Sequence, residues 1–534
     1  MFEKYGVQYL PKLNGPFAFF CWNEQEQTLL AATDRLGRFP LFYCLMDETI
    51  CITTDLHPLF ASGLMNPSLA QESVIDFLTI GFPLGEKTMF DGIKRATAGE
   101  YLICSPNEIE KKRYWKPEYS NSLSDTQPMV EVFRQCNERA MAKRPGSVVA
   151  LSGGWDSRAT IATLSANKDY SLMTFGEKNS TDVSLASEIA TQLQLQHEII
   201  SADNNFFNSF QQLANEVIAL GNGHVTIDLA FQLFAFKQLS PHYPMLLDSA
   251  GCEFRRGIKA KLAAQQAKAS ADISDFLLSM YSTGIWNDEI IEKEMFMVHN
   301  HSTLSHLTQW LGETKSPTFE DEIDAFSWYE LWSHHYAHGT PLQTSIIACH
   351  MPYSDNEFYD LFLQADRSIR WSHKFHQSVI KSLQPSLERF PISYGHVRVP
   401  YGEHPFRYTP MAYHRIINKA SSVSGLHWLN RFDNSKPFRP YHKWYAHELE
   451  QYTHDMLNNQ SFLSSGYINK DGVSALLQKQ KSSPLDFSHG ISMVLTLAHL
   501  LKYIHECKTN PPPHSPSLFS REGDGGLVRT PNYH

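Results

Sequence analysis

The stretch GSVVALSGGWDSRATIATL, residues 146–164, decides how the chain is read. Its first half is a β-rich apolar run that breaks into a serine and two glycines, and its second half resumes with helical composition. The pattern predicts a strand over 147–151, a turn S-G-G-W-D-S, and a helix over 157–164. A strand that turns through small residues into a helix start leaves backbone N–H groups pointing outward at the positive end of a helix dipole, and such a turn cradles an anion. Ser152, Gly153, Gly154 and Ser157 can donate backbone and hydroxyl hydrogen bonds there, while Asp156 can hold Mg²⁺ against a phosphate. The competing reading is an ordinary glycine turn before a helix cap, with Asp156 stabilising the first helical turn. The usual phosphate-loop string, G-x-x-x-x-G-K-S/T, is absent from the chain.

Downstream of the turn, strands and helices alternate. A strand is expected at 170–175 and another at 197–200, and between them Val183, Ala186, Ile189, Ala190 and Leu193 fall on one face of a helix over 180–195. Together with a helix over 129–143, this rhythm implies a parallel sheet that takes ligands at the carboxyl ends of its strands. Upstream, residues 15–54 alternate short aromatic-rich runs with polar breaks, as successive antiparallel strands do. A helix at 72–80 and further strands ending near Trp115 follow, and the polar stretch 116–128 reads as a linker. From about residue 287 the pattern is mostly helical. The Pro-, Gly- and Ser-rich end, 506–534, has the composition of a disordered tail.

The chain has 534 residues, 42% of them hydrophobic, which is enough for more than one core. Its formal net charge of −10, with no sustained basic run, argues against nucleic acid or an anionic membrane as a partner. The eight cysteines are scattered with no C-x-x-C pair, so neither a zinc cage nor a disulfide framework is expected, and a reducing cytoplasm fits best. MFEKYGVQYL does not read as a signal peptide, and the apolar run 490–504 carries His499 and Lys502, so it reads as a packed helix. His334 and His338 stand one helical turn apart without a third ligand, His224 lies in a glycine-broken loop where a substrate pocket could form, and the aromatic run Trp328 to Trp332 reads as core.

Residues 151–157 resemble the SGGxDS pyrophosphate loop of the ATP-pyrophosphatase superfamily, and the surroundings resemble the asparagine synthetase family. Residues 13–43, LNGPFAFFCWNEQEQTLLAATDRLGRFPLFY, are similar to that family's LxGxFAFxxxD…RDxxGxxPLY segment. KTMFDGIKRATAGEYL, 87–102, resembles TxFxGIxxLxPGxxL, and PYSDNEF, 352–358, resembles PFLDxxL. The resemblance implies an α/β chain. Residues 1–118 would be a partial, antiparallel β-rich, Ntn-hydrolase-like glutaminase domain. Residues 127–505 would be a parallel-sheet synthetase domain of the PP-loop class with a large helical C-terminal part. It also implies an ATP- and Mg²⁺-dependent ligase that activates a small-molecule carboxylate as an acyl-adenylate, releases pyrophosphate, and joins the carboxylate to ammonia or an amine. Under it, Leu151, Ser152, Gly153, Gly154, Asp156 and Ser157 meet the pyrophosphate, Thr174, Phe175 and Gly176 approach the adenine, and Asp182 caps the next helix near the nucleotide or is a plain helix cap.

Three departures accompany the resemblance. The residue after Met1 is Phe2, where the family's glutaminase needs a cysteine nucleophile, and Cys21 is expected to be a buried structural thiol. The chain is therefore not expected to hydrolyse glutamine by itself, and an upstream segment or a protein partner would complete the N-terminal domain and cover exposed sheet edges. In MLLDSAGCEFRRGIK, 245–259, Gly251 aligns with a glycine of the family's SGxGxDExFxG. Ser249 replaces another glycine, Ala250 stands where asparagine-forming members carry a glutamate, and Glu253 falls near the metal-side acid as a second Mg²⁺ ligand. The family's charge-neutralising lysine is matched either by Lys374 or by Arg398 in the later loop, whose plain reading is a surface ion pair. A nucleotide-binding scaffold without catalysis, or a biosynthetic enzyme akin to β-lactam synthetases and macrolactam cyclases, are the alternatives to the amide-forming ligase.

Overall fold

A computed structural model of the chain describes residues 2–509 apart from 47–48, 107, 165, 167, 251–257, 315, 337–338, 395–396, 403–408, 414–415, 418–435 and 483–486. Gly251, Glu253 and His338 lie outside the described residues.

The alternating N-terminal runs form two antiparallel sheets. β1 (Ala18–Asn23), β2 (Thr28–Thr33), β6 (Glu100–Ser105) and β7 (Glu108–Arg113) pair in the order β1-β2-β6-β7. β3 (Phe42–Met46), β4 (Thr49–Thr53) and β5 (Lys94–Arg95) pair as β4-β3-β5. Ala31, Leu41, Tyr43, Ala96 and Leu102 pack together in one core cluster that draws on both sheets. β1 lies at a sheet edge, and Phe20 and Trp22, two residues apart and so on one face, are 44% and 56% exposed. Cys21 between them is only half-buried, which corrects the expectation of a buried thiol: the edge strand has no neighbour on its outer side to cover it. All cysteines among the described residues are free thiols.

The stretch expected as a linker is two residues shorter than predicted. The helix Gln127–Lys143 takes in 127–128, because Asp125 Oδ1 accepts the Gln127 N–H at 3.0 Å and Pro128 suits a first helical turn.

The run around residue 148 forms the centre of a parallel sheet. β8 (Ser147–Ala150), β9 (Tyr170–Phe175), β10 (His197–Ile200), β11 (Leu246–Leu247) and β12 (Cys349–His350) are ordered β10-β9-β8-β11-β12, and every pairing is parallel. The chain moves outward from β8 to β10, then crosses back to lay β11 on the other side of β8. This reversal is a topological switch point, and it opens a crevice outside the carboxyl ends of β8 and β11. Val148, Val149, Leu172 and Leu247 are fully buried, which is why these strands are continuous apolar runs rather than alternating ones.

The aromatic run expected in the core is there: Trp328 and Trp332 are buried and stacked at 5.5 Å within the π-helix Ser327–Tyr336. The last helix, Ser488–Thr509, extends four residues into the stretch expected as tail. Residues 506–509 precede the first proline at 511, the Lys508 charge suits a helix C-terminus, and buried Ile504 anchors the turn before them. No helix among the described residues is long and apolar enough to cross a membrane.

Segments more than 300 positions apart meet where the sheets and the parallel-sheet part join. Asn14 Nδ2 donates to Asp355 at 3.1 Å, Asn356 Nδ2 to Leu13 O at 2.6 Å, and Arg35 pairs with Asp360 at 2.7 Å. The buried Arg38 guanidinium bonds Ser354 Oγ. The 13–43 and 352–358 runs are thus two sides of one contact.

Candidate functional site

The crevice at the switch point is a cleft of about 330 Å³. Its walls are the ends of three parallel strands: Ala150 and Leu151 at the end of β8, Thr174 and Phe175 at the end of β9, and Asp248 after β11. Ser152, Asp156, Ser157 and Asp182 line it as well, so seven of the expected nucleotide residues share one cavity. Gly153 and Gly154 belong to the same turn, and Gly154 begins the helix Trp155–Thr163. That helix starts two residues before the predicted position because Gly154 is extended, with φ −80° and ψ 179°, and the helical conformation follows at once.

The loop is tied down by its own side chains. The Ser152 N–H donates to Ser157 Oγ at 3.0 Å, the Gly154 N–H to Ser152 Oγ at 3.2 Å, and the Gly153 N–H to Asp182 Oδ1 at 3.0 Å. Asp182 therefore does not cap the helix Thr181–Leu193. Ser180, the residue before that helix, does so by accepting the Val183 N–H, and Asp182 turns back to put a carboxylate oxygen on a loop amide. Thr174 Oγ1 donates to Leu151 O at 2.6 Å and fixes the mouth of β9 to that of β8. Behind the loop, the fully buried Arg158 donates to Phe390 O at 2.9 Å and Pro391 O at 2.7 Å, and Ser393 N–H donates to Gly153 O at 2.8 Å. These bonds strap β13 (Ile392–Tyr394) against the turn. Desolvation lowers the Arg158 guanidinium to about 10.

Asp156 is half-exposed, with Oδ1 2.9 Å from Nε2 of the buried His376. The Tyr353 hydroxyl donates to the Asp156 carbonyl at 3.0 Å, and Trp155 stacks on His373 at 4.8 Å. Asp248 is partly buried, and desolvation pushes its carboxyl up against the N–H of Ala250 and the Gln343 amide, which bond it at 3.0 and 3.1 Å. Asp156, Asp182 and Asp248 line the cleft, and no lysine or arginine does so among the described residues. A triphosphate entering such a cleft needs a divalent cation, and oxygen ligands of this kind suit Mg²⁺. A Cβ on Gly153 would stand 2.6 Å from Ser393 Cβ, so the turn is close-packed on one side and open to the cleft on the other.

The expected charge-neutralising residues are elsewhere. Arg398, on β14 (Val397–Val399), is held at 2.7 Å by Glu188, its partner across an exposed surface. Lys374 opens the helix Lys374–Leu383 with Nζ 3.0 Å from Ser368 Oγ, on the exposed side. Neither lines the cleft. Gly176, with φ +147°, does not line it either. It packs under residue 438, whose backbone oxygen lies 3.0 Å from where a Cβ would stand and accepts the Glu177 N–H at 2.9 Å. His224 does not line the cleft but lines a second cavity that adjoins it, where its Nε2 accepts the Met89 N–H at 3.2 Å, its Nδ1 faces Asn222 O at 2.6 Å, and burial lowers its pKa to about 3.

Residues 1–115 match the family described as the glutamine amidotransferase domain. Asparagine synthetase (glutamine-hydrolyzing) 3 of Bacillus subtilis is 29% identical over 28% of this chain and 25% of its own length. In that segment the chain is similar to asparagine synthetases. Amidase chry2 of Gibberella zeae is 31% identical to it over 31% of this chain and 25% of that protein, so the aligned segments span about a quarter of these relatives. Among solved structures, the NH3-dependent NAD synthetase of Campylobacter jejuni aligns with a TM-score of 0.19 at 13% identity, over 38% of this chain and 96% of that one.

His376, through its contact with Asp156, and Phe438, which lines the cleft, are the site residues that sequence reasoning missed. His376 sits two positions from Lys374, but no spacing in WSHKFHQSVIK says which face of that helix meets Asp156. Phe438 lies in a stretch, NSKPFRP, with no periodicity to assign it.

Proposed function

We propose that this chain binds ATP with Mg²⁺ in the switch-point cleft and is an amide-forming ligase. It would adenylate a small-molecule carboxylate with release of pyrophosphate, for attack by ammonia or an amine. The observation that carries this reading is the position of the S-G-G-W-D-S turn, whose helix N-terminus opens into the crevice where a parallel sheet takes ligands. The reading extends to the fold, a PP-loop synthetase domain over 127–505 beside an Ntn-hydrolase-like domain over 1–118, and to a cytoplasmic location.

Under it, the amides at the start of Trp155–Thr163 and the Ser152 and Ser157 hydroxyls face the diphosphate, and Phe175 and Phe438 flank the base. Asp156, oriented by His376, would hold Mg²⁺ together with a second cleft carboxylate. The ion supplies the positive charge that three carboxylates and a polyphosphate lack. Asp182 leaves the Gly153 N–H when phosphate oxygen replaces it. Catalysis by such a site rests on positioning and charge neutralisation rather than on a nucleophilic side chain.

The test is ATP/pyrophosphate exchange across a panel of carboxylates. Exchange that Asp156→Ala abolishes supports the ligase, and a chain that binds no ATP by calorimetry refutes it. A nucleotide-binding scaffold is the second reading, supported by the Asp182 oxygen already on the Gly153 amide and by the loss of Arg398 to Glu188. It requires ATP binding without exchange for any carboxylate.

A further inference from the structure

Beside the nucleotide cleft lies a second cavity, of about 250 Å³. The two share Gln232, Phe236, Asp248 and Ala250 as a common wall, and the dipeptide 438–439 is divided between them, Phe438 lining the cleft and Arg439 the second cavity. Nη1 of Arg439 is buried and has no hydrogen-bond partner among the described residues. The guanidinium is held instead over the face of Phe438, 4.7 Å from the ring centroid.

A buried, unpaired guanidinium nitrogen is costly, and arginine cannot escape the cost by losing its proton. The carboxylates of the cavity do not relieve it. Asp248 is engaged by Ala250 and Gln343, Asp228 accepts from Thr226 Oγ1, and neither is paired with Arg439. Much of the remaining wall is apolar, including Phe82, Val225, Leu229, Leu342 and Met351. A fixed cation beside an apolar chamber that opens on a nucleotide cleft is complementary to an organic anion rather than to a sugar or a cation.

We infer that Arg439 holds a carboxylate of the acceptor substrate, and that this acceptor has an apolar body filling the second cavity. The inference rests on the ligase reading for the word acceptor, but the anion site itself does not. Phosphate oxygen of the nucleotide has the same chemistry as a carboxylate oxygen. Arg439 lines the second cavity and not the cleft, so the carboxylate is the assigned source.

The full chain, wild type and with Arg439→Gln or Arg439→Lys, is titrated calorimetrically with phenylbutyrate, with its neutral amide, with aspartate, and with ATP plus Mg²⁺. The expected result is that wild type prefers phenylbutyrate to both the amide and aspartate. Arg439→Gln loses about 30-fold or more in phenylbutyrate affinity, as removal of a buried charged partner does. Arg439→Lys recovers part of the loss, and ATP affinity stays the same in all three. Undiminished phenylbutyrate binding by Arg439→Gln overturns the proposal, as does equal binding of the amide or a parallel fall in ATP affinity, which would assign the guanidinium to the phosphates. Tighter binding of aspartate overturns the apolar body. If wild type binds no ATP while phenylbutyrate binding still depends on Arg439, the ligase reading fails and the anion site stands.

Discussion

Gly153→Ala tests whether the turn is packed as tightly as its neighbours imply. An added Cβ would lie 2.6 Å from Ser393 Cβ, 2.8 Å from Leu185 Cδ1 and 3.3 Å from Asp182 Oδ1. Carbon atoms rest about 3.5–4.0 Å apart, so two of these contacts are repulsive. Ser393 cannot retreat cheaply, because its N–H is bonded to Gly153 O at 2.8 Å and Arg158 straps Phe390 and Pro391 to the same helix. Overpacking of this kind costs about 1–3 kcal/mol. At roughly 2–4 °C per kcal/mol, the thermal midpoint should fall by about 2–12 °C. The displaced loop should also bind ATP more weakly, since the Gly153 amide moves with it. Gly154→Ala is the matched control: its Cβ would meet only Ser152 Oγ, at 3.2 Å, and its φ is already −80°. It should cost under about 1 kcal/mol, mostly as a poorer helix cap. Differential scanning calorimetry of both variants decides the matter. Equal midpoints, or a larger loss in Gly154→Ala, would refute the packing argument.

Other consequences are open to measurement. Arg158→Met leaves buried carbonyls at Phe390 and Pro391 without donors and should cost about 2–4 kcal/mol in chemical denaturation, with faster proteolysis near residue 390. Burial raises the Glu330 carboxyl from 4.5 to about 7, against the pull of the Gly85 N–H and the Arg95 charge. Because the folded value lies above the unfolded one, its stabilising contribution is full below pH about 4.5 and is lost as pH rises through about 7. Glu330→Gln should therefore gain stability relative to wild type across that window, by up to about 3 kcal/mol, and parallel stability curves from pH 4 to 8 would count against the burial argument. Chelation of divalent cations with EDTA should abolish ATP binding by the acidic cleft. ATP affinity that survives chelation would show that some cation of the chain itself neutralises the phosphates.

The sequence by itself determined the local elements around the turn. The apolar run at 147–151, the serine and glycines, and the helical spacing after 180 follow from short-range chemistry, and the strands over 170–175 and 197–200 appear where the pattern puts them. Tertiary structure decided what surrounds them. β11 and β12 are two residues long and gain strand character only by pairing with β8 and with each other, which no local pattern reveals. Ser180 rather than Asp182 caps its helix, because Asp182 finds a better use on an amide 29 positions away. Arg398 and Lys374 look alike in sequence as solitary cations, and only the fold turns one toward Glu188 and leaves Arg439 beside the cleft with a buried Nη1 that has no hydrogen-bond partner among the described residues. Backbone preference and side-chain period act over a few residues. Which carboxylate meets which amide, and which cation is left without a partner, is set by chain segments that meet only when the sheet has closed.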